Sequence, residues 1–325
     1  MSFIPWMMMG AASVAVDQME WLPQPGETGY TAAPRHHLRW MMENDSAIVN
    51  DRNYTHGTRI DYLHDFALEP NHAVGFSFTQ NIYTPYTHAA GAVEREHPYA
   101  GYLALGVAHL YRGEDVGNCV EFQLGTTGKA SGAREVQDMV HKACRLERWH
   151  GWNDQIRGEV TFQLSAQQDY RQAWAESSLS NGWQTDGIFY TREELGTVSI
   201  AGGAGFSFRV GHNLPPAMQV TRNNSATFGS GTIRKPDYDP ADSSYFLVMG
   251  ASVDYVARDM FIDGGVFHDF DRTCGVLPWQ VEGRLGLGVR RKGVDYYAGA
   301  FIRSRGYRTQ RDNTALGTFS MTFNW

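Results

Sequence analysis

From residue 36 to the end of the chain, apolar and polar residues alternate with period two. Val160, Phe162, Leu164 and Ala166 alternate with Glu159, Thr161, Gln163 and Ser165. Val281, Leu285, Leu287 and Val289 alternate with Glu282, Arg284, Gly286, Gly288 and Arg290. Successive side chains of a strand point to opposite faces, so each such run predicts a strand with one apolar face and one polar or glycine-rich face. The pattern predicts twelve strands: 36–43, 54–66, 73–83, 99–111, 117–126, 159–171, 183–191, 197–210, 245–257, 276–290, 294–303 and 315–325. Only the segment 127–158 carries a helical period. There Val136, Met139, Val140 and Ala143 form an apolar stripe behind Glu135, and Gln137 and His141 share another face.

Twelve such strands allow two arrangements. In a soluble sandwich the apolar faces meet in a core. In a transmembrane barrel they face lipid and the polar faces line the lumen. The strand lengths match a tilted bilayer crossing, which takes about 9–11 residues. The chain also ends in a period-two strand closing on an aromatic, Phe319-Ser320-Met321-Thr322-Phe323-Asn324-Trp325, which resembles the terminal signature of outer-membrane barrels. The expected fold is therefore all-β: a twelve-stranded antiparallel transmembrane outer-membrane β-barrel with a short helix in an extracellular loop. An even count puts both ends in the periplasm and the connections 44–53, 84–98, 127–158, 192–196, 258–275 and 304–314 outside. It also assigns the long Pro-containing stretch 212–244 to the periplasmic side, where turns are usually short.

Composition and charge exclude some classes of function. Only 19% of residues are charged, and 28 Lys and Arg stand against 35 Asp and Glu, a net charge of -7. No basic stripe exists to meet phosphates, so nucleic acid is not an expected partner. The three cysteines, Cys119, Cys144 and Cys274, have no zinc-site spacing. Residues 1–15 read as a signal peptide lacking its basic start, with the small-x-small run Ser13-Val14-Ala15. Residues 16–35 then form a polar lead-in, and 36–325 a single barrel domain. One closed barrel needs no partner, and a monomer is expected.

Candidate chemistry lies on the outer rim. Asn44 and Asp45 offer hard oxygen ligands of the kind Ca²⁺ accepts. An Asx turn capping a hairpin explains the same residues equally simply. His141, with the Gln137 carboxamide one turn away, has the makings of a general base that activates water. A surface histidine on a loop helix is the plainer alternative. Asp45 continues the parity of His37, Arg39 and Glu43, and Thr55 that of Arg59 and Asp61. Both are therefore expected on the lumen side of the wall, with the loop helix bringing His141 over them. No G-x-S-x-G, H-E-x-x-H or P-loop motif is present.

These residues carry a family resemblance. Asn44-Asp45-Ser46 and Asp51-Arg52-Asn53-Tyr54-Thr55-His56-Gly57 are followed by His97-Pro98-Tyr99-Ala100-Gly101-Tyr102, Val136-Gln137-Asp138-Met139-Val140-His141 and Gly151-Trp152-Asn153-Asp154-Gln155. Arg258 to Phe267 continues the series. In this order the motifs resemble the outer-membrane lipid A 3'-O-deacylase family (LpxR type), over about residues 38–325. The resemblance implies a twelve-stranded barrel that hydrolyses the ester of the 3'-linked acyl chain of lipid A in a Ca²⁺-dependent reaction. It makes Asn44 and Asp45 the metal-side pair, His141 the catalytic histidine, Gln137 its helix partner and Thr55 the threonine of the D-R-x-Y-T-x-G segment. His56 and Gly265 depart from the family pattern, where Asn is expected.

The expected mechanism is direct hydrolysis by water deprotonated at His141, with Gln137 holding the water or the imidazole. Ca²⁺ near Asn44 and Asp45 is expected to stabilise the oxyanion, and Thr55 to donate or relay a hydrogen bond, with a nucleophilic role as the alternative. The expected partner is lipid A or lipopolysaccharide of the outer leaflet. An outer-membrane phospholipase and a non-catalytic barrel or pore are the competing readings.

Overall fold

The computed structural model describes residues 36–45, 52–66, 69, 71–86, 96–179, 182–216, 222–223, 228, 238–239, 241–268 and 274–325. The leader and lead-in expected over 1–35 lie outside the described residues. Twelve long strands follow the chain: β1 (His36–Asn44), β2 (Asn53–Asp65), β3 (His72–Thr84), β4 (Ala100–Arg112), β5 (Val116–Thr127), β6 (Val160–Arg171), β7 (Trp183–Gly196), β8 (Ser199–His212), β9 (Ser244–Asp259), β10 (Trp279–Arg291), β11 (Val294–Arg303) and β12 (Thr314–Asn324). A two-residue strand, Ser177–Ser178, fringes β7. Each long strand pairs antiparallel with the next, and β1 pairs with β12 from His37↔Asn324 to Asn44↔Gly317. The sheet is therefore a closed twelve-stranded barrel, and closure leaves no unpaired edge to face lipid.

Alternation becomes an inside and an outside. On the outer face Phe76 and Phe78 of β3, Leu105 and Val107 of β4, Phe122 and Leu124 of β5, and Leu285 and Leu287 of β10 are exposed. This is the apolar band that a barrel presents to hydrocarbon. The lumen side is filled by charge pairs. Arg59 donates to Asp61 at 2.7 Å and to Glu121 at 2.9 Å, and Ser77 donates to Glu121 at 2.6 Å. Arg192 donates to Asp254 at 2.6 Å, and Arg209 to Asp186 at 2.5 Å. Fully desolvated charges persist only when so paired.

Two connections differ from expectation. The segment 192–196, expected as an outer loop, is the end of β7. Its charges are wall residues: Arg192 reaches Asp254 along the inner wall over Gly203, while Leu195 faces outward. The connection to β8 shrinks to residues 197–198. The strand expected from 276 begins at Trp279 instead, with Val276 making only an isolated bridge to Tyr307.

The stretch 212–244 joins the periplasmic ends of β8 and β9 and adds no long strand among its described residues. Several of its described residues lie in the lumen. Leu214 packs against Phe246, Val248 and Tyr297. Phe228 lies under the Arg59 guanidinium and against Gly75, where an added Cβ would come within 2.7 Å of its ring. Arg222 pairs with Glu282, and Asn223 bonds Glu43 at 3.0 Å and Asn81 at 2.9 Å. The polar side chains of Arg222 and Asn223 thus find partners inside the barrel.

At the extracellular end, α2 (Met260–Asp263) is capped by the Asp259 carboxylate, which accepts from the Phe261 amide at 2.9 Å. Phe261 stacks on Tyr83 at 4.3 Å. With Tyr54, Tyr102, Met260, Phe301 and Leu316 these rings form an apolar layer. This accounts for much of the Arg258–Phe267 motif. Gly265 belongs to the same turn: a Cβ there would sit 2.5 Å from the Glu159 carboxylate, which accepts the Val266 and Phe267 amides.

Candidate functional site on the outer rim

The loop between β5 and β6 folds back onto the outside of the barrel. A turn at Gly128–Ser131 leads into α1 (Ala133–Cys144), and a second short turn covers Gly151–Asp154. Gly132 precedes α1 with φ 66°, a left-handed conformation that glycine adopts without penalty. Gln80 donates to the Ser131 carbonyl at 2.8 Å, and Ile82 packs with Tyr99, Ala133 and Trp152. Gln80 and Ile82 share the parity of the lipid-facing Phe76 and Phe78, while Ser77 and Thr79 point into the lumen. Gly101 has the outward parity of Leu105, and a Cβ there would meet Ser131 Oγ at 2.0 Å and Ala133 Cβ at 2.4 Å. The helix therefore lies over the outer face of β3 and β4, not over the lumen as parity had suggested.

The face of α1 turned to the wall is Ala133, Gln137 and His141. Gln137 Oε1 accepts from the Trp152 indole at 2.6 Å. An indole N–H can only donate, so the orientation of this carboxamide is fixed, and its Nε2 is left a buried donor with no hydrogen-bond partner among the described residues. His141 Nδ1 donates to the Glu147 carbonyl at 2.5 Å, and its ring meets Trp149 edge-on at 5.1 Å. A carbonyl can only accept, so the proton sits on Nδ1 and the basic nitrogen is Nε2.

Thr55 is displaced from its expected face. The β2–β3 register shifts between Tyr54 and His56, so Thr55 is the extra residue of a β-bulge. Tyr54 pairs with lumen-side Tyr83, and His56 pairs with outward Ile82. The Thr55 hydroxyl bonds that of Thr84 at 2.5 Å, and Thr84 follows Gln80 and Ile82 on the outward parity. Thr55 thus does not continue the lumen row of Arg59 and Asp61.

Asn44 is the last residue of β1 on the outward face, opposite His56, with Asn44 Nδ2 3.4 Å from His56 Nδ1. His56 is tied in turn to Thr58 at 2.8 Å. Asp45 is 1% exposed. Its amide donates to the Thr55 carbonyl at 3.2 Å, and its carboxylate accepts from the Arg52 amide at 2.5 Å. This contact ties the end of β1 to the residue before β2, seven positions on, a longer reach than an Asx turn.

Asn44, Asp45 and Thr55 form one connected group, and Gln137, His141, Trp149 and Trp152 another. The outer end of β3 stands between them, touching the first through Thr84 and the second through Ile82. For a divalent cation, Asp45 supplies a buried carboxylate and Asn44 a carboxamide oxygen, both hard donors suited to Ca²⁺. Among the described residues no group of three His, Cys, Asp or Glu side chains converges as a metal cage. The set fits an ion that completes its shell with backbone, water or substrate oxygens. Residues that sequence reasoning passed over include Thr84, whose parity was visible, and Glu147, whose role runs through its backbone carbonyl and leaves no trace in sequence. The lumen residues Glu43 and Tyr54, chain neighbours of Asn44 and Thr55, are both held by Asn223.

Residues 6–325 match the family model described as outer membrane protein LpxR. No curated protein sequence matches. Among solved structures the chain is similar to LpxR from Salmonella typhimurium, with a TM-score of 0.75 and 18% identity over 89% of this chain and all (100%) of that one. Similarity to the β domain of the Bordetella autotransporter BrkA is weaker, with a TM-score of 0.45 and 10% identity over 90% of this chain and 100% of that one. The translocator domain of the autotransporter NalP from Neisseria meningitidis gives 0.38 and 8% over 98% of this chain and 95% of that one.

Proposed function

Because the chain belongs to the LpxR family of outer-membrane proteins, and so resides in the bacterial outer membrane, we propose that it is a lipid A deacylase hydrolysing the ester of the 3'-linked acyl chain. The observation that carries the proposal is the pairing, on the lipid-facing side of the wall, of a histidine whose Nδ1 proton is pinned by a backbone carbonyl with a buried carboxamide N–H that has no acceptor among the described residues. An ester in the outer leaflet reaches that side without entering the lumen. A pore is not favoured, since the Arg59–Glu121 and Arg192–Asp254 pairs line the lumen and Arg222, paired with Glu282, and Phe228, under Arg59, stand inside it.

In this reading His141 Nε2 takes a proton from water as the water attacks the carbonyl carbon, and returns it to the departing sugar oxygen. The Glu147 carbonyl holds the ring in the needed tautomer and stabilises the imidazolium. Gln137 Nε2, oriented by Trp152, donates to the developing oxyanion or to the attacking water. Removing one such donor typically costs about 10²–10³ in rate. The Thr55 hydroxyl, paired with Thr84, donates or relays a further hydrogen bond. Asn44 and Asp45 would hold Ca²⁺, which when bound supplies positive charge for the ester oxygen. His141→Ala and Asp45→Ala should each abolish acyl release while leaving a heat-modifiable, folded barrel. Assay against lipid A and a glycerophospholipid side by side separates this reading from a phospholipase. Wild-type release by folded His141→Ala protein would refute the assignment.

A further inference from the structure

Most of the stripe that makes α1 amphipathic lies off the face it packs with: Val136 is half-buried against the Ile82 and Trp152 cluster, but Met139, Val140 and Ala143 are exposed. At 3.6 residues per turn, Val136, Met139, Val140 and Ala143 centre roughly a quarter to a third of a turn away from the wall-contacting Ala133, Gln137 and His141. Met139 is 63% and Val140 42% exposed, and Leu146 just beyond the helix is 48% exposed. Arg134, Asp138 and Lys142 lie on the side nearly opposite the stripe. One flank of the helix thus meets protein, the next is bare hydrocarbon, and the one beyond is charged.

The wall beneath shows what the bare flank adjoins. On β3 the outward Phe78 is exposed, and Gln80, two residues and about 7 Å further along the strand, is covered by the loop. On β4 Leu105 is 64% exposed, while Gly101 is sealed by Ser131 and Ala133. The helix therefore begins where the lipid-facing band ends, with its exposed stripe at the edge of that band. Beyond the helix Arg145 and Arg148 are exposed together with Lys142. A helix with an apolar side, a charged side of both signs and a position at the hydrocarbon boundary has the form of an interfacial helix.

We propose that α1 is immersed in the outer leaflet, with Met139, Val140 and Leu146 among the acyl chains of lipid A and Lys142, Arg145 and Arg148 at the level of its phosphates. The apolar stripe then forms the lip over which an acyl chain passes to the Gln137 and His141 face. The inference rests on outer-membrane residence; immersion itself does not depend on the hydrolytic reading.

The test uses the full chain in vesicles of lipopolysaccharide and phospholipid with a nitroxide on the phospholipid acyl chain. A polarity-sensitive fluorophore is attached through Met139→Cys, Val140→Cys or Asp138→Cys in a Cys144→Ser background, since Cys119 and Cys274 are buried. Heat-modifiability selects folded protein, and either apolar position serves if the other fails to fold. The expected result is blue-shifted emission and severalfold stronger quenching at 139 and 140 than at 138. Equal quenching at all positions would overturn the proposal, whether or not acyl chains are released. Quenching at 139 without release from lipid A would refute the hydrolytic reading alone. In unlabelled protein, Met139→Asp with Val140→Asp should lower release from lipid A bilayers by roughly tenfold or more, the cost of withdrawing one such side chain from hydrocarbon. Release from a soluble short-chain ester should be unchanged; equal loss on both substrates would contradict a role for the lip.

Discussion

Gly101→Val tests directly whether the loop helix is seated on the outer wall. A Cβ at this position would lie 2.0 Å from Ser131 Oγ and 2.4 Å from Ala133 Cβ. The serine hydroxyl could rotate only by giving up its 2.6 Å bond to the Gly128 carbonyl. Ala133 Cβ cannot move without the helix. Overpacking of this kind costs about 1–3 kcal/mol. Borne by the docked state alone, it shifts the docked-to-undocked ratio roughly 5- to 150-fold. The barrel should survive, because strands β3, β4 and β5 pair on either side of the position without the loop. Trypsin cleavage within the Arg145–Arg157 stretch of refolded protein should accelerate accordingly, and acyl release should fall by the same factor once the undocked form predominates. Gly283→Val is the control, since a Cβ there meets nothing within 4 Å. Unchanged cleavage and unchanged release in folded Gly101→Val protein would mean that the loop is not held against β4 as described.

Three further outcomes follow from the geometry. Trp152→Phe keeps a ring but removes the indole donor to Gln137, so release should drop about 10–100-fold, as for other orienting partners, with unchanged heat-modifiability; no change would remove Gln137 from the machinery. Arg59→Met leaves Asp61 and Glu121 without their shared guanidinium and should destabilise the barrel by about 3–5 kcal/mol, read as a lower heat-modification temperature; equal stability would show the lumen pairs to be dispensable. His97, buried in the loop before β4 and stacked on Tyr83 at 5.2 Å, has its pKa pushed down from 6.5 to about 4 by burial. The unfolded chain binds the proton first, so stability should be full above pH 6.5 and fall by about 1.4 kcal/mol per pH unit from there towards pH 4. His97→Gln should flatten that dependence in thermal melts, and an unaltered slope would contradict the assignment.

Much of the architecture was legible because a barrel wall obeys one rule. Each strand has a greasy side and a polar side, and the rule recurs in all twelve. It failed where charges sit inside: Arg192 and Glu194 read as a loop, although Arg192 is a lumen residue bridging to Asp254. It failed again at Thr55, because the bulge between Tyr54 and His56 contains no glycine to announce it. That single extra residue moves the threonine from the expected lumen row to a bond with outward Thr84. Spacing brought Gln137 and His141 together correctly, since residues four apart share a helix face. The side of the wall on which that helix rests was not legible, because contacts such as Gln80 to the Ser131 carbonyl link segments 51 residues apart. Nor could sequence show that residues of the stretch 212–244 lie in the lumen, where Asn223 reaches Glu43 across 180 residues.

Mass spectrometry of lipid A from cells producing this chain, set beside cells producing folded His141→Ala protein, is the most direct test. The account predicts loss of the mass of one acyl or acyloxyacyl group from the 3' position with the wild-type chain only, suppressed when divalent cations are chelated. Lipid A of unchanged mass in cells whose outer membrane carries the folded wild-type barrel would contradict it.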